Sequence, residues 1–180
     1  MYDPPEQLQL RLYVDADFAG SEEAARSMSG GYLVLAGPNT FFPLGWVAKK
    51  QTSTSRSTTE AEIISLDFSL FHEALPMLSL WDLLLGRPVK LEICEDNQAT
   101  IKVAKKGYSP KLRHILRTHK VNLSSLKEVL DNDNVSIVYI KTDDQAADIF
   151  TKALAPCKWD NAIALLGIER REPDPEPGCK

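Results

Sequence analysis

Apolar and polar positions alternate along residues 8–15, where Leu8, Leu10, Leu12 and Val14 are interleaved with Gln9, Arg11, Tyr13 and Asp15. This two-residue period predicts a β-strand with one face in a core. Short apolar runs at 32–36 and 43–48 follow a polar loop at 16–29 and are set off by Gly30-Gly31 and by Gly37-Pro38-Asn39-Thr40. They predict two more strands and, with the first, an antiparallel meander. From 58 to 85 the period changes. Ile63, Ile64, Leu66, Leu70 and Leu75 recur at helical spacing, which predicts a long helix, bent near Pro76 and closed by Gly86-Arg87-Pro88. A fourth strand at 89–96 again ends in acid. Then come a short helix at about 97–106 closed by Gly107, a loop at 108–113, and a helix at 114–131 with Val121, Leu123, Leu126, Val129 and Leu130 inward. A fifth strand at 135–140 and helices at 143–154 and 158–166 complete the pattern. The order predicts an α/β fold: a five-stranded mixed sheet, three antiparallel strands then two parallel, flanked by helices.

At 180 residues the chain suits one domain with a real core. Residues 1–7 read as a linker or cut end, 8–168 as the domain, and the Pro- and charge-rich 169–180 as a disordered tail. Hydrophobic residues make up 43% and charged residues 26%, ordinary for a soluble globular protein. The net charge of −4 argues against coating nucleic acid by bulk charge, while leaving room for a local basic track. Cys94, Cys157 and Cys179 have no paired metal-ligand spacing, so neither zinc nor a disulfide framework is expected, and a reducing compartment is. The first residues lack the apolar core of a signal peptide. No apolar run reads as membrane-spanning, so no membrane is expected as a partner.

Four carboxylates stand at element ends. Asp15 ends the first strand, Glu60 begins the long helix, Asp96 ends the fourth strand, and Asp148 lies early in the helix after the fifth. If the first and fourth strands are parallel neighbours, Asp15 and Asp96 converge beside their carboxyl ends, where sites gather in open α/β sheets. Two like charges about 5 Å apart repel by roughly 3 kcal/mol at an effective dielectric near 20. Such a cluster therefore calls for raised pKa values or for cations, and hard oxygen donors suit magnesium or manganese. Each acid also has a local explanation. Ser57-Thr58-Thr59-Glu60 is a capping box, Asp96 can cap the helix after it, and Asp148 can be a solvated helix charge. Glu62 competes with Glu60 for the site, the two lying about 200° apart around a helix; the motif alignment below selects Glu60.

The chain resembles the ribonuclease H domain at the end of the Pol polyprotein of copia-type LTR retrotransposons. The matching blocks begin with Tyr13-Val14-Asp15-Ala16-Asp17-Phe18-Ala19-Gly20, Arg26-Ser27-Met28-Ser29-Gly30-Gly31-Tyr32 and Trp46-Val47-Ala48-Lys49-Lys50-Gln51. They continue with Ser57-Thr58-Thr59-Glu60-Ala61-Glu62, Glu95-Asp96-Asn97-Gln98-Ala99 and the run from Asp144 to Leu154. The resemblance spans about residues 8–168 and implies a ribonuclease H-like fold. It also implies hydrolysis of the RNA strand of an RNA–DNA hybrid, leaving a 5′-phosphate and a 3′-hydroxyl. Asp15, Glu60, Asp96 and Asp148 fall on the family's four acids as catalytic residues and metal ligands. Two Mg2+ ions are implied, with Mn2+ as a substitute. The implied partners are the hybrid and a reverse transcriptase domain in the same polyprotein. The implied location is the cytoplasm, in a virus-like particle, or the nucleus. Departures are Phe18 where the family has Trp, Ile63 where it has Tyr, Glu95 where it has Cys, and Arg113-His114-Ile115-Leu116 for its Lys-His-Ile-Asp segment.

Hybrid binding needs phosphate and 2′-hydroxyl contacts. Lys49, Lys50, Ser55 and Arg56 precede the Glu60 helix and are candidates for the backbone path, although lysine and arginine also simply solvate surfaces. Asn97 and Gln98 follow Asp96 and can reach a minor groove. Arg113 and His114 head a second basic group that extends to Arg117, His119 and Lys120. The competing expectations are a catalytically inactive module that binds hybrid or packs on a reverse transcriptase, and an integrase-like nuclease. The order of the acids speaks against the last.

Overall fold

In the computed structural model, which describes residues 3–18 and 26–168, the central strand is β1 (Gln9–Asp17). Antiparallel to it lies β2 (Met28–Ala36), whose outer neighbour is β3 (Phe41–Lys50). On its other side β4 (Leu91–Glu95) and then β5 (Val135–Tyr139) run parallel to it, giving the order β3-β2-β1-β4-β5. The expected mixed sheet is therefore the observed one. The expected tail at 169–180 and much of the loop at 16–29 lie outside the described residues, and Pro5–Gln7, within the stretch read as a linker or cut end, form a 3-10 turn.

The alternation in β1 divides two cores. Leu10, Leu12 and Val14 join Leu91 and Ile93 against Ile63, Leu66 and Leu70, each fully buried leucine contributing about 2 kcal/mol. Tyr13 faces the other way, with Tyr32, Val34 and Cys94 under Ala146, Ala147 and Leu166. β2 is covered on both faces, and two glycines make room for the cover. A Cβ at Gly31 would lie 2.6 Å from Ser69 Oγ on the helix side. One at Gly30 would lie 2.5 Å from Thr151 Cγ2 and 3.0 Å from the Ala147 carbonyl on the opposite side. Glycine at both positions lets a helix and the 147–151 segment approach the same strand.

The long helix begins as α1 (Thr58–Ser69), capped by Ser57, and continues after a π-helical turn at Leu70–Ala74 as α2 (Leu75–Leu85). Pro76 stands two residues beyond that turn, in the first turn of α2. Its missing N–H and its ring disrupt the α-helical ladder of the preceding turn, which the wider π spacing accommodates. Contrary to the sequence reading, the span Thr58–Leu85 is long and apolar enough to cross a membrane by length and composition. Its first half, however, buries the charged Glu60 and Glu62 along with Ile63 and Leu66 inside the fold.

The short helix is α3 (Gln98–Lys106), capped by Asn97 and closed by Gly107 at φ 68. The single helix expected at 114–131 is broken into α4 (Ile115–Thr118) and α5 (Leu123–Leu130). Lys120 adopts φ 64 between them, and Asn122 caps the restart with bonds from the Ser124 and Ser125 amides. The helix expected at 143–154 is replaced by 3-10 turns at Thr142–Asp144 and Asp148–Phe150. Gln145 interrupts it with an extended backbone, its side chain donating to the Val14 carbonyl (2.8 Å) and accepting from the Ala147 amide (3.2 Å). α6 (Trp159–Leu165) ends the described chain close to its predicted place.

Candidate metal centre

Parallel pairing of β1 with β4, in register from Leu10 with Leu91 to Tyr13 with Cys94, brings the carboxyl ends of the two strands side by side. Asp15 and Asp96 consequently meet. α1 packs across β1 and is fixed there by Ser65, whose hydroxyl donates to the Asp15 carbonyl (2.7 Å) and the Gly30 carbonyl (3.1 Å). One turn earlier, on the same helical face as Ser65, Leu66 and Ser69, stands Glu62. Each of Asp15, Glu62 and Asp96 offers a carboxylate oxygen, and these oxygens lie within 4.8 Å of one another. They line an open cleft of about 630 Å³, shared with Phe18, Asn97 and Gln98.

Glu62 replaces Glu60 in this cluster, correcting the sequence reading. The Glu60 carboxylate is buried but turned to a different set of partners. Its Oε1 lies 3.0 Å from His114 Nε2 and 3.1 Å from His119 Nε2, and its Oε2 accepts from the Arg56 amide. Its own amide donates to the Ser57 hydroxyl, so the serine half of the expected capping box forms, while the carboxylate reaches back to the Arg56 amide instead of that of Ser57. Two residues on, Glu62 is rotated to the face that meets the sheet. The signal for this was the helical phase of the buried positions, Glu62 preceding Leu66 by one turn.

Burial pushes the Glu62 carboxyl up to about 10, and Glu95, Asp15 and Asp96 add to the rise. Its Oε2 has no hydrogen-bond partner among the described residues. Glu95, the family's Cys position, is also fully buried. One of its oxygens accepts from the Asn97 amide (3.0 Å) and the other has no described partner. Burial drives this carboxyl well above the ordinary range, with Asp96 and Asp15 adding repulsion. Crowded hard oxygens, one of them an orphan on Glu62, are the donor set that a divalent cation of the magnesium class satisfies.

Asp148 reaches the centre through a lysine. Lys152 Nζ lies 2.9 Å from Asp148 Oδ1 and 3.1 Å from Asp15 Oδ1, and Thr151 donates its hydroxyl to the other Asp15 oxygen. Burial alone would lower the Lys152 pKa, but Asp15 and Asp148 outweigh it and hold the ammonium above its ordinary value. Burial raises Asp148, a shift opposed by the Lys152 bond and reinforced by Asp15. Thr142 donates to Asp96 Oδ2 (2.7 Å) and anchors it. Thr142, Thr151 and Lys152 were not singled out from sequence, because their contacts with Asp15 and Asp96 join distant segments, and Glu95 was noted only as a departure from the family pattern.

The expected nucleic-acid residues separate into groups. Lys49 and Lys50 end β3 and line a second pocket of about 200 Å³ with Phe68, His72, His119 and Lys120; Lys49 Nζ sits 4.0 Å from the Phe68 ring centroid. Arg56 is exposed. Ser55 is buried and donates to Gln51 Oε1 (2.7 Å), so the structure removes it from the accessible set. Asn97 spends its side-chain oxygen capping α3 yet still borders the cleft, as does Gln98. Arg113 is exposed and donates to the Tyr108 hydroxyl, and His114 belongs to the Glu60 group.

No protein-family model matches the chain. Over 168 residues, 92% of its length, it is 29% identical to the retrovirus-related Pol polyprotein from transposon RE1 of Arabidopsis thaliana. It spans only 11% of that relative. The N-terminal RNase H domain of a Mycobacterium tuberculosis protein superposes with a TM-score of 0.52 at 12% identity, covering 79% of this chain and 95% of that one. RNase H1 from the archaeon Halobacterium salinarum gives 0.50 at 15% identity, covering 87% and 98%. The chain is therefore similar in sequence to retrovirus-related Pol polyproteins of copia-type transposons, and its fold is ribonuclease H-like.

Proposed function

We propose that the chain is a metal-dependent endoribonuclease that hydrolyses the RNA strand of RNA–DNA hybrids during retrotransposon reverse transcription. The observation that carries this reading is the meeting of Asp15, Glu62 and Asp96, from three distant parts of the sequence, within 4.8 Å at the wall of an open cleft. Asp15, Glu62 and Asp96 would hold a magnesium ion, with Asp148 facing a neighbouring position. Such an ion, when bound, supplies Lewis-acid activation of water and neutralises charge on the phosphodiester.

The residues of the chain then have distinct tasks. Thr142 and Thr151 fix the Asp96 and Asp15 carboxylates in direction. Asn97 and Gln98, at the cleft, offer amide groups to 2′-hydroxyls and base edges in a minor groove. Lys49, Lys50 and Arg56 form a basic approach for phosphates. Water adds to phosphorus and the P–O3′ bond breaks, leaving a 3′-hydroxyl and a 5′-phosphate. A reverse transcriptase segment of the same polyprotein is the proposed supplier of the hybrid.

A hybrid labelled on each strand in turn tests the reading. With Mg2+ the protein should cut the RNA strand alone, and Asp96→Asn should abolish cutting. Binding without cleavage at every Mg2+ and Mn2+ concentration tried would assign the chain to a non-catalytic module instead.

A further inference from the structure

Asp15 and Asp148 do not face each other across solvent. The ammonium of Lys152 lies between them, at 3.1 Å and 2.9 Å from one oxygen of each. The local fold sets this up. The Lys152 amide bonds the Asp148 carbonyl at 3.0 Å, closing a turn that points both side chains toward β1. The close approach of Ala147 and Thr151 to Gly30 presses that turn against the sheet. On the far side of Asp15, Glu62 and Asp96 complete a group of converging oxygens, and the Glu62 Oε2 there is buried and unpartnered among the described residues. The acidic centre thus has two halves. One is a three-carboxylate group with an unmet need for a cation. The other already holds a positive charge.

We propose that Lys152 is the resident cation of the Asp15–Asp148 half, so that the free protein takes one divalent ion, between Asp15, Glu62 and Asp96, and a second enters only when the ammonium swings out. The proposal rests on the metal-centre reading above and adds the order of occupancy to it. Electrostatics favour exclusion while Lys152 is in place, since an ammonium and a divalent ion repel at contact distance and compete for the same carboxylate lone pairs. The lysine is able to leave. Its side chain is 34% exposed, its four-carbon stem is flexible, and a phosphate arriving in the cleft offers it another anion. Lys152 is thereby a positioning residue: it sets when the second half of the centre becomes available.

The test is Mn2+ binding to the nucleic-acid-free protein, followed by electron paramagnetic resonance and by calorimetry. The proteins are wild type, Lys152→Met, Lys152→Arg and Asp96→Asn. Methionine keeps the apolar stem and removes the charge, and circular dichroism checks that the variants fold. Wild type should bind one ion in the range where Lys152→Met binds two, the second with an affinity gain of about tenfold, the factor that loss of one hydrogen bond to a charged group corresponds to. Lys152→Arg, still cationic, should keep the wild-type stoichiometry, a rescue that a purely structural role for the stem would not give. Equal numbers and affinities in wild type and Lys152→Met would overturn the role of Lys152 while leaving the metal centre standing. No binding in either protein would remove the metal centre itself, and the proposal with it.

Discussion

Glu62→Gln should stabilise the metal-free protein at neutral pH, and more so as the pH rises. Burial, followed by repulsion from Glu95, Asp15 and Asp96, carries the Glu62 carboxyl from 4.5 to about 10. The folded chain therefore holds this proton more tightly than the unfolded chain does. The stability associated with that proton is complete below about 4.5 and is lost progressively as the pH climbs toward about 10. At pH 7 the unfolded state is favoured by ionising a carboxyl some 2.5 units above its pKa, worth about 3 kcal/mol at 1.36 kcal/mol per unit. At pH 5 the same reasoning gives about 1 kcal/mol. Glutamine has the shape and no ionisation, so it removes the loss. Thermal unfolding in EDTA should place Glu62→Gln about 6–12 °C above wild type at pH 7 and only slightly above it at pH 5. Mg2+ should raise the wild-type midpoint and leave that of the variant nearly unchanged, because the ion binds the folded carboxylates. A variant less stable than wild type at pH 7, or a difference independent of pH, would refute the reasoning.

Two further substitutions probe the neighbouring contacts. Glu60→Ala leaves the His114 and His119 ring nitrogens and the Arg56 amide without their shared acceptor, and should cost about 3 kcal/mol in urea unfolding; Mn2+ affinity should stay near wild type, and a drop comparable to that of Asp96→Asn would return Glu60 to the centre. Gly30→Ala drives a methyl into Thr151 and the Ala147 carbonyl and should destabilise by about 1–3 kcal/mol. Amide hydrogen exchange should then accelerate across 146–152, whereas acceleration confined to β2 would show that the glycine serves the strand alone.

The strands were legible because their pattern is local. Leu10, Leu12 and Val14 announce a face, whereas the parallel pairing of β1 with β4 entered the sequence reading only as a condition, which the structure meets. The long helix was legible for the same reason, down to the interruption before Pro76. What the sequence concealed depends on tertiary contacts overriding local preference. Residues 143–154 contain good helix formers, yet Gln145 bonds the β1 backbone and Ala147 must fit beside Gly30, so the segment becomes 3-10 turns. The break at Lys120 makes sense only with His119 turned toward Glu60. The choice between Glu60 and Glu62 failed for a related reason. A capping box marks Glu60 strongly in the sequence, whereas the face of α1 that meets the sheet was visible only through the burial of Leu66. Asp15 and Asp96 were correctly placed together, since strand ends fix them. Asp148 lies on the centre's border, with Lys152 between it and Asp15; the spacing of four residues fits the Asp148 contact, but the reach to Asp15 depends on the tertiary fold.

The central claim is that Asp15, Glu62 and Asp96 share one divalent cation. Anomalous diffraction from crystals soaked in Mn2+ addresses it directly. The account predicts a single strong manganese peak bounded by oxygens of Asp15, Glu62 and Asp96, lost in Glu62→Gln crystals and retained in Glu60→Gln crystals. A peak coordinated by Glu60, or no peak among these carboxylates in a protein that still folds, would contradict it.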